Sequence, residues 1–256
     1  MKNSKESGHV KNVGHLQDLV SYCTLLGTDY NPARAAISIT ELNSLLVNSR
    51  TVIENIHLAI AGYRTAVIER ENAFAPLSKI CTRILNSLAS MGASEHQLEN
   101  VKALVRKIKG THLKSKNEAA TNMASPSMEE NADTTNNPIH SHSTSQMSYD
   151  YRLDNFQKLI SYLENMADYS PNEVELKVAT LKTIISGIKP KNIPVVNAEA
   201  ALSQCRMARN ELFYGDVNGL VSRTLAVKAY VKSLYGGSSP QYKKVAGISF
   251  SKNNHH

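Results

Sequence analysis

Two stretches of this 256-residue chain resemble each other in order and phase, and that internal likeness limits its fold more than any other feature. Shifted by about 140 residues, Leu19-Val20-Ser21-Tyr22 falls on Leu159-Ile160-Ser161-Tyr162. One residue is then lost, and Tyr30-Asn31-Pro32 falls on Tyr169-Ser170-Pro171. In the same register Ile37, Ile39, Leu42, Leu45 and Leu46 meet Leu176, Val178, Leu181, Ile184 and Ile185. Ala59 and Ala61 meet Ala198 and Ala200, Arg70 meets Arg209, and Phe74 meets Phe213. After a short insertion Ile84, Leu85 and Leu88 meet Tyr230, Val231 and Leu234. Matches that keep their order and apolar phase over some 80 residues point to a tandem duplication.

Each copy reads as helix. Leu16, Leu19, Val20 and Cys23 recur at the spacing of one helical face. Asn31-Pro32 and Ser170-Pro171 have the form of helix starts, a capping side chain followed by a proline whose missing N–H costs nothing there. Ser170 with Glu173 has capping-box spacing. From Pro32 the apolar period runs to about Ala73 and predicts a long second helix. Pro190 and Pro194 interrupt the matching stretch, which is expected to bend or break between Lys189 and Pro194. A third helix is predicted over Pro76 to Ser90 and over Asn218 to Tyr235. Ser94 with Gln97, and Ser239 before Pro240, mark restarts. The first copy continues helically to Lys109, whereas Val245 to Phe250 alternates and is expected to dock in extended form.

The stretch between the copies, 111–149, is rich in Ser, Thr, Asn and Ala and has no apolar period, which is the signature of a disordered linker. The expected organisation is a flexible N-terminus over 1–12, helical units over 13–110 and 150–250, the linker over 111–149, and a flexible tail over 251–256. The fold class is therefore all-α: an elongated, coiled-coil-like helical-bundle unit, duplicated. With no Trp and four Phe, its cores must be built from Leu, Ile, Val and Ala, a mix that suits helices better than sheets.

Residues Ala229 to Phe250, AYVKSLYGGSSPQYKKVAGISF, resemble the C-terminal signature of a family of uncharacterised bacterial two-repeat helical proteins. The opening SGHVKNV (Ser7 to Val13) and the stretch NEVELKVATL (Asn172 to Leu181) are similar to the same family. The resemblance covers most of the chain outside the linker. It implies a two-unit helical fold and brings no activity with it.

The remaining signals bear on function. No apolar run approaches the roughly 20 residues needed to span a bilayer, and Met1 to Gly14 has no apolar core of a secretory signal. Cys23, Cys81 and Cys205 sit in apolar helical patterns and read as small buried thiols, which with the above leads us to expect a cytoplasmic location. Glu54 and His57 have the E-x-x-H spacing of a di-iron bundle. The duplication puts Ile193 and Val196 at the matching positions, so no metal is expected there. His140 and His142 are too few for a structural zinc site. Neither a phosphate-binding glycine loop nor a nucleophile elbow is present. We therefore expect no catalytic residue, no cofactor and no metal, and a non-enzymatic interaction or structural module.

The alternative is a sequence-nonspecific binder of nucleic acid or another anionic partner. The net charge of +7 is dispersed: residues 13–110 carry ten Lys and Arg against eight Asp and Glu, and residues 151–250 carry thirteen against eight. The richer copy concentrates Lys228, Lys232, Lys243 and Lys244 around Tyr235 and Tyr242, and these six form the candidate contact surface for an anionic partner. Lys102, Arg106 and Lys109 make a second stripe, which reads as a solvated helix face. A protein partner is the first expectation, nucleic acid and self-association are open, and membrane insertion is not expected.

Overall fold

The computed structural model describes residues 6–110 and 148–251, and among them every regular element is helical. In chain order these are α1 (Glu6–Leu25), α2 (Ile39–Ser90), α3 (Glu95–Lys109), α4 (Tyr149–Glu164), α5 (Val178–Ile188), α6 (Asn192–Tyr214), α7 (Leu220–Tyr235) and α8 (Pro240–Ala246). The expected linker lies outside the described residues except at its end, where Ser148 caps α4 and Tyr149 begins it. The expected flexible N-terminus is corrected over residues 6–12, which are the start of α1. His9 and Asn12 are buried there because each meets a partner, His9 the ring of Phe213 and Asn12 the backbone of Ser251.

The Pro that follows each turn tyrosine does not start a helix. Residues 31–34 and 170–173 are irregular and bent, a 3-10 turn follows over Ala35–Ile37 and Val174–Leu176, and α2 and α5 begin at Ile39 and Val178. A side-chain bond sets this path. The Tyr30 hydroxyl donates to the Ile37 carbonyl at 2.7 Å, and the Tyr169 hydroxyl donates to the Leu176 carbonyl at 2.8 Å. Each bond closes a loop of the same length around a buried ring. Ser38 then caps α2 by accepting the Glu41 N–H at 3.3 Å. The Ser170–Glu173 capping box does not form, because Glu173 is extended (φ −68°, ψ 115°) rather than in a first helical turn.

Helix α2 runs for 52 residues through Pro76, so the separate third helix expected there is a continuation. Proline removes one N–H and crowds the preceding turn. Here Asn72 and Pro76 are exposed, so water can take the freed carbonyl, while buried Phe74 and Leu77 hold the helix on both sides. The helix expected to bend or break between Lys189 and Pro194 does break there. Pro190 lies in a 3-10 turn over Lys189–Lys191, and Pro194 falls in the first turn of α6, where its lost N–H is harmless.

The third-helix register is corrected by burial. Leu77, Cys81, Ile84 and Leu88 are buried, and so are Leu220, Thr224, Val227 and Val231 at the same spacing. Ile84 and Leu88 thus share their burial spacing with Val227 and Val231, not with Tyr230 and Leu234; Leu234 is 41% exposed. The added residues sit at 215–219, between Phe213 and Leu220. There Gly219 passes so close to Gly215 that a Cβ on it would lie 2.5 Å from the Gly215 carbonyl oxygen. Leu42, Leu45 and Leu181 are buried, and Ile184 is half-buried on the rim of its core.

The chain packs as two compact units, and they do not follow the sequence units 13–110 and 150–250. One comprises 1–66 with 196–256, the other 67–195. The first unit's core joins Val13, Leu16, Leu19, Val20, Leu42 and Leu45 to Phe213, Leu220, Val227 and Val231. The second unit's core joins Phe74, Leu77, Ile84, Val101 and Ile108 to Phe156, Leu159, Leu181 and Ile185. Each unit therefore takes the leading part of one sequence unit and the trailing part of the other. The reason is packing: the buried stripe of α1 faces α7, and that of α4 faces α3. Edge-to-face rings repeat the exchange. Phe213 meets His9 at 5.7 Å in one unit, and Phe74 meets Tyr149 at 4.8 Å in the other.

Ser94 caps α3 in a complete capping box with Gln97, its hydroxyl accepting the Gln97 N–H at 3.3 Å and the Gln97 side chain accepting the Ser94 N–H at 2.7 Å. Ser239 caps α8 with Pro240 in its first position. The C-terminal segment docks as expected from Ile248 to Phe250, but Val245 and Ala246 are helical and end α8. No helix among the described residues is long and apolar enough to cross a membrane.

Candidate functional site

The six candidate residues lie together on α7 and α8. The buried stripe Leu220, Thr224, Val227 and Val231 turns α7 inward, which leaves Lys228 half-buried and Lys232 exposed on its flank. Gly236 (φ 82°) ends α7, and Ser239 restarts the chain by accepting the Tyr242 N–H at 3.1 Å. Val245 is the buried anchor of α8, so Lys243 and Lys244 face outward.

Their chemistry separates them. Lys228 donates to the carbonyls of Ala246, at 3.2 Å, and Ile248, at 2.5 Å. It thus satisfies the carbonyl of Ala246, the last residue of α8, and that of Ile248 just beyond it, and stabilises the negative end of the helix dipole. Its ammonium lies 5.6 Å from the centre of the Phe250 ring. Burial lowers its pKa below the ordinary lysine value. Lys228 is committed to holding the C-terminal segment, which removes it from the expected contact surface. Asn12 and His15 hold the same segment: Asn12 exchanges two bonds with the Ser251 backbone, at 2.8 and 3.0 Å, and His15 Nδ1 donates to the Ser249 carbonyl. Lys232 lies 5.7 Å over the Tyr242 ring, a cation–π contact that orders both. The Tyr235 hydroxyl donates to Asp29 at 3.0 Å, and its pKa is raised by desolvation and by that carboxylate. Three exposed ammonium groups, Lys232, Lys243 and Lys244, remain as a small basic rim.

Of the three thiols expected to be buried, Cys23 and Cys81 are and Cys205 is not. Desolvation pushes Cys23 up to about 11 and Cys81 up to about 12, so neither is a nucleophile at neutral pH. Cys205 is partly exposed on α6. Glu54 and His57 are both exposed on α2, and no group of His, Cys, Asp and Glu with metal-binding geometry occurs among the described residues. Of the second basic stripe, Lys109 is bonded to Thr82 at 2.7 Å and Lys102 pairs with Glu99.

Two features escaped the sequence reading. In the second unit the Arg70 guanidinium stacks 3.9 Å over Tyr149 and donates to Asn192 at 2.8 Å, while Arg152 reaches the Phe74 ring and the Ile108 carbonyl. Tyr149 was hidden because it falls at the end of a low-complexity stretch. The other feature is an open cleft of about 390 Å³ in the same unit. Its walls are the end of α2 (Arg83, Ser87, Ser90) and the turn that follows Tyr169 (Ser170, Pro171, Leu176). An ion pair between Arg83 and Glu175 ties the walls together and lowers the Glu175 pKa.

No family model, no curated protein and no solved structure matches this chain.

Proposed function

We propose that this chain is a tandem duplication of one helical unit and acts as a non-enzymatic interaction or structural module, in keeping with its resemblance to uncharacterised bacterial two-repeat helical proteins. The observation that carries this reading is the use made of the polar groups in the interior. Tyr30 and Tyr169 are spent on identical turn bonds, Asn12 and Lys228 on docking the C-terminal segment, and Cys23 and Cys81 on packing. An active site instead aims its titratable groups into a cleft and at one another. The duplication draws support from three further matches. The turns after Tyr30 and Tyr169 have the same 3-10 geometry, the ring pairs at Phe74 and Phe213 recur, and the buried spacing of α7 repeats that of the end of α2. A reducing, cytoplasmic setting fits three unpaired cysteines.

The test has two arms. Elemental analysis of protein purified without a metal-affinity step should give no stoichiometric iron, manganese or zinc. Proximity labelling in cells should return a reproducible protein neighbour whose recovery survives moderate salt. Stoichiometric metal would replace this reading with a metal-dependent one.

The second reading, an anionic partner, rests on the exposed rim of Lys232, Lys243 and Lys244. Phosphate contacts by three lysines predict a log–log salt slope of only about 3 on duplex DNA. Fluorescence anisotropy with a labelled duplex across a salt series measures it, and an absence of binding at low salt removes this reading.

A further inference from the structure

We propose that the open cleft of the second unit is a docking site for a tyrosine side chain of a partner polypeptide. The inference rests on the duplication reading, because the other copy supplies the template for the occupant. The burial register pairs Ser87 with Tyr230, just as it pairs Ile84 with Val227 and Leu88 with Val231. The turn register pairs Tyr169, Ser170, Pro171 and Leu176 with Tyr30, Asn31, Pro32 and Ile37.

In the first unit the space between these walls is filled from within. The Tyr230 ring stands edge-to-face on Tyr30, with centres 5.3 Å apart and planes at 86°. Its hydroxyl accepts the Asn31 N–H at 3.1 Å. In the second unit the same helix position carries Ser87, which has no ring, and a cleft of about 390 Å³ stands open between the same two walls. That volume is within the range of small-ligand pockets, roughly 300–1,000 Å³.

The walls specify the guest. Ser170, which lines the cleft, is the counterpart of Asn31, whose N–H binds the Tyr230 hydroxyl, and it follows Tyr169, the buried counterpart of Tyr30. Ser87, Ser90 and Ser170 line the cleft, so a bare hydrocarbon ring would leave polar groups facing it, whereas a phenol gives one of them a partner. Arg83, held at the rim by Glu175, adds a cation to the ring's surroundings. The occupant is a side chain delivered on a backbone, as Tyr230 is. Residues 1–5, 111–147 and 252–256 contain no tyrosine, so none of these segments of the chain can supply it.

The test uses the full-length protein, isotope-labelled, with amide shifts recorded by NMR. Titration with N-acetyl-tyrosinamide is expected to shift the Ser87, Ser170 and Leu176 amides saturably, with roughly millimolar affinity for a single side chain. N-acetyl-phenylalaninamide should bind at least several-fold more weakly. Ser87→Tyr fills the cleft from within and should abolish the response without lowering the melting temperature. Should that variant fail to fold, Ser87→Leu blocks the same space with fewer atoms and must also abolish it. No saturable shift, equal binding of both amides, or a response that persists in the blocked variant overturns the proposal. A dimer that Ser87→Tyr dissolves would make a second copy the occupant and overturn the assignment to a partner. Tyr230→Ser separates this proposal from the duplication reading. Added p-cresol should raise the melting temperature of that variant by more than it raises that of the wild type, in which only the cleft at Ser87 takes the phenol. Rescue there without binding at Ser87 refutes the docking site and keeps the duplication; failure of both refutes both.

Discussion

Separating the two halves of the chain, 1–110 and 148–256, should unfold both. Each core is assembled from both halves of the chain, so a fragment 1–110 carries Phe74, Leu77, Ile84, Leu88, Val101 and Ile108 without the Phe156, Leu159, Leu181 and Ile185 that cover them. It also carries Leu16, Leu19, Leu42 and Leu45 without Phe213, Leu220 and Val231. Fully burying a large apolar side chain is worth about 1.5–3 kcal/mol. Losing even half of that across the contributions of one fragment costs on the order of 10 kcal/mol, comparable with the whole net stability of a domain, about 5–15 kcal/mol. Fragments 1–110 and 148–256 produced together should co-purify as a one-to-one complex with near-native helicity. Produced separately, each should aggregate or self-associate. Light scattering behind size exclusion gives the stoichiometry, and circular dichroism gives the melting behaviour. A monomeric fragment that melts cooperatively on its own would refute the account of two shared cores.

Tyr30→Phe and Tyr169→Phe each strip a buried carbonyl of its hydroxyl partner, so each should cost about 1–3 kcal/mol in urea denaturation. The two costs should be similar, and a negligible effect at either site would detach that turn from its tyrosine. Gly219→Ala forces a methyl against the Gly215 backbone and should destabilise by about 1–3 kcal/mol, whereas Gly62→Ala, where nothing lies within 4 Å, should be neutral or mildly stabilising. At pH 8 in native buffer a thiol-specific disulfide reagent should modify Cys205 promptly and Cys23 and Cys81 only on unfolding, because burial pushes those two up to about 11 and about 12. Prompt titration of all three would contradict the burial of Cys23 and Cys81.

What the sequence disclosed, and what it concealed, follows from the range of the forces involved. Local signals were legible: the apolar stripe of α1, the capping box at Ser94, the cap at Ser239 and the proline break at Lys189–Lys191 all depend on neighbours a few residues away. The helix starts at Ile39 and Val178 were misplaced because the turn before them is set by a tyrosine hydroxyl reaching seven residues ahead, an interaction no propensity encodes. Pro76 was read as a boundary because proline's local cost is visible in sequence, while the packing of Phe74 and Leu77 that offsets it is not. The basic surface was half legible. Counting charges found Lys228, but only tertiary structure shows its ammonium capping Ala246 and Ile248. The cleft at Ser87 was beyond reach, because it depends on the third-helix register, and burial moved that register by three positions.

If the chain is a duplication, the sharing of cores explains how its two copies can drift apart without losing the fold. On the duplication reading, a single copy cannot complete either core by itself; it needs the trailing half of another. Held in separate chains, two such copies would be identical, and every substitution would act in both cores at once. Joined in one chain, each core becomes an independent target for change. The second copy can then accept Pro190 and Pro194 and added residues around Gly215 and Gly219, while α2 of the first remains one unbroken helix of 52 residues. The same freedom lets one unit close its turn-side cleft with Tyr230 while the other leaves it open with Ser87. The asymmetry between an occupied and an open version of one site is therefore where specialisation should be sought. Its sharpest expression is a chemical complementation. Tyr230→Ser should open the first unit and lower its stability through loss of the ring contact with Tyr30 and the Asn31 bond, by about 1–3 kcal/mol. Ser87→Tyr should close the second, and the double variant should transfer the phenol-responsive amides from Ser170 to Asn31. A response that stays at Ser170 in the double variant would mean that the two clefts are unrelated and that the likeness between the copies ends at their backbones.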